Sequence, residues 1–122
     1  MLARANRLTS GRGFAATIRH GQRAGRPTMV VHLAPADRPD QGGDHAPEPR
    51  VGLVVGKAVG DAVSRNRVKR RLRHLVRERL HTLPEGAVLV IRALPSAESA
   101  SYAALGRDLD GALHRLLGAG RA

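Results

Sequence analysis

The sequence predicts an α/β fold, a two-layer sandwich in which helices pack a mixed sheet. Two observations predict it: short Val-rich apolar runs, and longer stretches with apolar residues at helical spacing. The two kinds alternate along 122 residues in the order α-β-β-α-β-α, the mixture that layered folds are built from.

Residues 10–20 read as a short helix, with Phe14 and Ile18 four apart, Ser10 as a candidate cap and Gly21 as the stop. Residues 28–34 and 50–55 are Val-rich and bounded by Pro and Gly, which reads as two strands. Over residues 61–82, Val68, Leu72, Leu75, Val76 and Leu80 recur at helical spacing until Pro84 closes the run. Residues 87–93 form an apolar run short enough for a buried strand, ended by Pro95. Leu105, Leu109, Leu113, Leu116 and Leu117 mark a last helix, with Ala112 on the same face and Gly118 at its end.

At 13.0 kDa the chain supports one core and not two, so residues 1–122 are expected to form a single domain. One Phe, one Tyr and no Trp require that core to be aliphatic. A formal charge of +11, carried mostly by Arg, points to a polyanionic partner. No apolar run approaches the ~18 residues of a membrane span. The opening Met1 to Arg4 has no apolar stretch of the secretory type. The absence of Cys rules out disulfides and thiolate metal sites and fits the cytoplasm.

The charge sits in two blocks. Residues 1–34 carry six Arg and no acid, and residues 61–83 carry eight bases against two acids. Between them, residues 35–50 hold four acids and four Pro with no apolar period, which reads as a flexible acidic loop between two strands. Its acidity is expected to keep it off a polyanion bound elsewhere.

On a helical projection of residues 61–82, the apolar residues span an arc of about 140°. Asn66, Lys69, Arg70, Arg73 and Arg77 fill a flanking arc of about 100°. Arg67 and Arg71 point away from both, while Arg65 and Arg79 project on the apolar side near the helix ends. One face is therefore expected to pack on a sheet while another presents cations and an amide. A guanidinium fork suits phosphate, and Asn can bond a base edge or a 2′-hydroxyl. A merely solvated face would interleave Glu for i,i+4 support, and here only Glu78 and the terminal Asp61 could do so. The repulsion is left for an anion to relieve.

Residues 65–73, preceded by residues 51–57 and by Gly60, Asp61, Ala62 and Val63, resemble the signature of the bacterial ribonuclease P protein subunit. Asn6, Arg7 and Leu8, followed by Phe14, His20 and Gly21, are similar to that family's N-terminus. The resemblance runs from about residue 4 to 117, with residues 35–50 as a variable insert. It implies a mixed, four-stranded type of sheet with a left-handed βαβ crossover through helix 61–82. It also implies partners: the catalytic RNA of ribonuclease P and the 5′ leader of precursor tRNA. In that family the RNA, with its bound Mg²⁺, hydrolyses the phosphodiester, and the protein assists by raising affinity for substrate and metal. By match of motif, Arg65, Asn66, Arg67, Lys69, Arg70, Arg73 and Lys57 would contact RNA. The family's leader cleft would map to Phe14, Ile18, Val30 and His32. Two departures stand out. Lys57 is followed by Ala58 where paired lysines are usual, and Ile18 and His32 stand where aromatics are frequent. Base stacking would then rest on Phe14, and leader binding would lean on charge and apolar packing.

The residues alone show no catalytic site. The six His never take a metal-ligand spacing, and Gly52, Gly56 and Gly60 are not followed by the Lys-Ser/Thr of a phosphate loop. A ribosomal-type RNA-binding protein remains the alternative, and the ordered set at 6–8, 60–63 and 65–67 discriminates against it. A self-sufficient nuclease would need clustered carboxylates for Mg²⁺, which the sequence does not offer.

Overall fold

The computed structural model describes residues 6–8, 11–34 and 48–118. Four strands form one sheet: β1 (Gln22–Gly25), β2 (Met29–Ala34), β3 (Arg50–Val54) and β4 (Val88–Ala93), in the order β1-β2-β4-β3. β2 runs antiparallel to both β1 and β4, whereas β3 and β4 are parallel. The parallel pair is joined through helix α2 (Ala62–Arg77), so the sheet is mixed as expected. Helices α1 (Gly11–His20) and α3 (Tyr102–Gly118) complete the chain.

Alternation along the strands sends Met29, Val31, Leu33, Val51, Leu89 and Ile91 to one face, where they are buried against helices. From α2 come Val68, Leu72, Leu75 and Val76, and from α3 Leu105, Leu109, Ala112 and Leu116. This core is aliphatic throughout. Helix α1 crosses the reverse face, so the sandwich carries a partial third layer there. The ring of Phe14 lies against Gly52, in the space a Cβ on that residue would occupy. Gly52 is therefore what lets α1 approach the sheet. Gly52→Ala is expected to push Phe14 off the strand and cost about 1–3 kcal/mol, measured by chemical denaturation.

β1 falls where no strand was expected. Of its four residues only Ala24 is buried, so it has no apolar period, and its ladder to β2 holds it in place. Helix α2 also stops short of the expected residue 82. The backbone N–H of Arg79 donates to the Val76 carbonyl, while its own Nη1 donates to the Leu75 carbonyl at 2.8 Å. The side chain takes the acceptor that the next helical N–H would have used, and a 3₁₀ turn at Leu80–Thr82 follows. Leu80 still packs against the core.

Asn6, Arg7 and Leu8 run along the outer side of β3. Asn6 Nδ2 donates to the Pro49 carbonyl at 2.9 Å and to Glu48 Oε1 at 3.3 Å, and Leu8 N–H donates to the Val51 carbonyl at 2.8 Å. The segment thus occupies backbone groups that an edge strand would leave open. On the helical side, Asp108 accepts from the Thr28 N–H and hydroxyl, and Asp110 takes a bidentate pair from Arg79. The candidate cap Ser10 and the acidic loop up to residue 47 lie outside the described residues.

Candidate nucleic-acid interface

The N-terminus of α2 is fixed by Asp61, whose Oδ1 accepts from the Ser64 N–H at 2.8 Å. Bonds from Ser64 hold the Asp61 carboxyl below its ordinary pKa. From that fixed start the helix keeps Ser64, Val68, Leu72, Leu75 and Val76 buried. Asn66, Arg70 and Arg77 come out exposed, with Arg67, Lys69 and Arg73 half-buried beside them. Lys57 is exposed on the 3₁₀ turn that precedes the helix.

Arg65 and Arg79 leave on the apolar side, as the projection expects. Arg79 joins α2 to α3 through Asp110, which raises the pKa of the guanidinium and lowers that of the carboxyl. Arg65 is half-buried, and its Nε is shut off from solvent with no acceptor among the described residues. Arg71 donates to the Ala100 carbonyl at 3.2 Å, a structural tie between α2 and the approach to α3. Ion pairs among the described residues involve Arg26 and Arg79; the cations at 57, 65, 67, 69, 70 and 73 have none there. The Asp61 carboxylate acts on Arg65 and Arg67 at the helix start, and beyond it Lys69, Arg70 and Arg73 form a positive surface with no ion pair among the described residues.

The α1 side of the sheet provides the second surface. Phe14 and Val30 are half-buried, and Ile18 is 37% exposed, so all three reach the outside. His32 does not. At 1% exposure it is buried on that side of the sheet. Strand pairing sets its neighbours, Arg23 on one side and Val90 on the other, and α1 packs over β2 and β4. Its Nε2 accepts from Arg92 Nε at 3.0 Å. An Nε2 that accepts leaves the ring proton on Nδ1, which is buried with no partner.

Burial first, and then the Arg92 and Arg23 guanidiniums, hold the pKa of His32 below its ordinary value. The unfolded chain therefore takes up this proton before the folded one does. The resulting stability is complete above the unfolded pKa of about 6.5 and is lost as pH falls toward the lowered folded value. Unfolding free energy is expected to drop as pH falls through the unfolded value of about 6.5, and His32→Gln is expected to flatten that drop. Equal slopes for both proteins would show that His32 does not titrate in this way.

Arg23 and Arg92 stand on the α1 side of the sheet too, outside the site residues expected from the sequence. Arg92 carried a signal, since it breaks the apolar run 87–93 with the parity of Val90 and not of Ile91.

No helix among the described residues is long and apolar enough to cross a membrane. The family model described as Ribonuclease P matches residues 2–117. The ribonuclease P protein component of Streptomyces griseus is 57% identical over 121 residues, 98% of each chain. That of Mycobacterium avium is 50% identical over 116 residues, 95% of each chain. Among solved structures, the Staphylococcus aureus RNase P protein superposes with a TM-score of 0.72 at 19% identity, over 88% of this chain and 92% of that one. The Thermotoga maritima RNase P protein gives 0.68 at 21% identity, over 86% and 92%. These two share the fold. A family match over residues 2–117 and half or more of the positions identical in these relatives decide the kinship: the chain belongs to the ribonuclease P protein family.

Proposed function

We propose that this chain binds the catalytic RNA and the 5′ leader of precursor tRNA, and so assists 5′ maturation of tRNA by an RNA that performs the cleavage. Its relatives are protein subunits of ribonuclease P, and the chain is accordingly a subunit of an endoribonuclease. The observation that carries the finer reading is the cation face of α2, running from Arg65 to Arg73 with no ion pair among the described residues. Helix α1 and the sheet beside it offer a surface with an aromatic ring, and Lys57 stands between the two regions along the chain.

The division of labour follows from the side chains. Phosphate contacts from Arg65, Arg67, Lys69, Arg70 and Arg73 hold RNA without reading its sequence. Phe14, Ile18 and Val30 suit unpaired bases, which a single-stranded leader supplies. The reaction's Mg²⁺ is bound by the RNA in this scheme. A single RNA-binding domain spanning residues 1–122, working in the cytoplasm, completes the proposal. The ribosomal-type alternative has no observation of its own to favour it.

The test is cleavage of precursor tRNA by the matching catalytic RNA at low Mg²⁺, with and without the protein. The protein is expected to restore cleavage that the RNA alone loses under these conditions. Equal rates with and without it would refute the proposal.

A further inference from the structure

We infer that Arg92, aimed by the buried imidazole of His32, forms with Arg23 a two-guanidinium notch on the α1 side of the sheet that grips a backbone phosphate of the single-stranded leader. This rests on the proposed function, which brings the leader to that face. It adds a specific anion site there and makes His32 a positioning residue.

The strand register builds the notch. Arg23 pairs with His32, His32 with Val90, and Val90 with Gly52, which makes one continuous rung across all four strands. Val30, Arg92 and Val54 form part of the adjacent rung. Side chains alternate along each strand, so both rungs face the α1 side, opposite the core residues Val31, Leu89 and Ile91. Arg23 is exposed and Arg92 half-buried, and they flank a His that is 1% exposed.

Charge is the reason to expect an anion. Both guanidiniums lie near enough to His32 to disfavour its protonation, yet neither has a carboxylate partner among the described residues. Two uncompensated cations above a buried polar group are relieved by an acceptor that can meet both. A phosphate, with oxygens for two forks, has that chemistry.

Geometry is the reason to give His32 a role. Arg92 spends its Nε on His32 Nε2, which leaves the two Nη groups for a ligand and holds the guanidinium in one orientation. Fixing a long side chain before binding reduces the ordering cost that an unheld Arg would incur. Only the neutral imidazole can accept this bond, and its burial keeps it neutral. Gly52, beneath the Phe14 ring, stands two strand spacings from His32, about 10 Å. A strand with a base on Phe14 can therefore pass its backbone over the notch within a few nucleotides.

The experiment uses the enzyme reconstituted from the full chain and its catalytic RNA, in Ca²⁺ to suppress cleavage. It measures equilibrium binding of tRNA with and without a leader. Arg92→Ala is expected to weaken leader-bearing tRNA about tenfold, the loss of one charge-assisted contact, and to leave leaderless tRNA unchanged. The slope of log affinity against log salt should become shallower by about 0.7, one phosphate on a single strand. His32→Leu should weaken leader binding in the same direction, and His32→Gln, whose amide oxygen can accept from Nε, should recover it. In an Arg92→Ala background His32→Leu should add nothing, whereas a merely structural His32 would cost the same in both. Arg23→Ala, at an exposed position, gives an independent arm that does not depend on core packing.

Three results overturn the inference: leader affinity insensitive to both arginines, equal weakening of the two tRNAs, or weakened assembly with the catalytic RNA instead. The wild-type enzyme separates the two levels. No preference for leader-bearing tRNA defeats the proposed function itself, and a normal preference that ignores Arg23 and Arg92 defeats only the notch.

Discussion

Leu72→Ala lowers the free energy of unfolding by about 2–5 kcal/mol, while Arg73→Ala next to it leaves that quantity within about 0.5 kcal/mol. Leu72 is 0% exposed and packs in the common core with residues of β2, β4 and α3, so truncation leaves a cavity that the sheet cannot collapse into. Arg73 is half-buried and makes no ion pair among the described residues. Its loss is expected in RNA affinity instead. Denaturant melts of the two variants, set beside binding to the catalytic RNA, check both halves. The opposite ranking in the melts would show that the faces of α2 are assigned the wrong way round.

Phe14→Ala reduces the ratio of precursor to mature tRNA affinity by about tenfold in the reconstituted enzyme, the value of one stacked base. Only precursor tRNA carries a leader, and Phe14 is the one Phe of the chain and lies on the α1 side of the sheet. Lys69→Ala is expected to lower affinity for both RNAs more evenly, because phosphate contacts are available on each. Binding of both tRNAs at one fixed salt concentration reads the ratio directly. If the variant melts normally and keeps the wild-type ratio, Phe14 makes no leader contact. The melt is needed because the ring also rests on Gly52.

The parts legible in the sequence were those set by local period. The strands β2 and β4 are central and buried, so their apolar runs stand out, and α2 separates its apolar and cationic faces at helical spacing. The parts that escaped depend on partners far along the chain. β1 exists because β2 offers it a ladder, and nothing in its own residues has strand period. The end of α2 is set by the side chain of Arg79, whereas the apolar spacing runs on to Leu80. His32 alternates with Val31 and Leu33 like an outward residue, and its burial comes from α1, Arg23 and Val90. Its bond to Arg92 spans 60 positions, a pairing that no short-range period encodes.

The strand order has a consequence for how the protein comes into being. β4 stands between β2 and β3, yet it is the last of the four to be synthesised. Until residue 93 has left the ribosome, β2 and β3 lack the neighbour each pairs with, and α2 is a basic amphipathic helix with no completed sheet beneath its leucines. The remaining leucines of the core arrive later still, on α3. A nascent chain of this design has no foldable N-terminal half. A shortened product ending before β4 keeps the β1–β2 ladder and the bond from Leu8 to β3 but has no strand to join the two, and is expected to stay a basic, unfolded polypeptide.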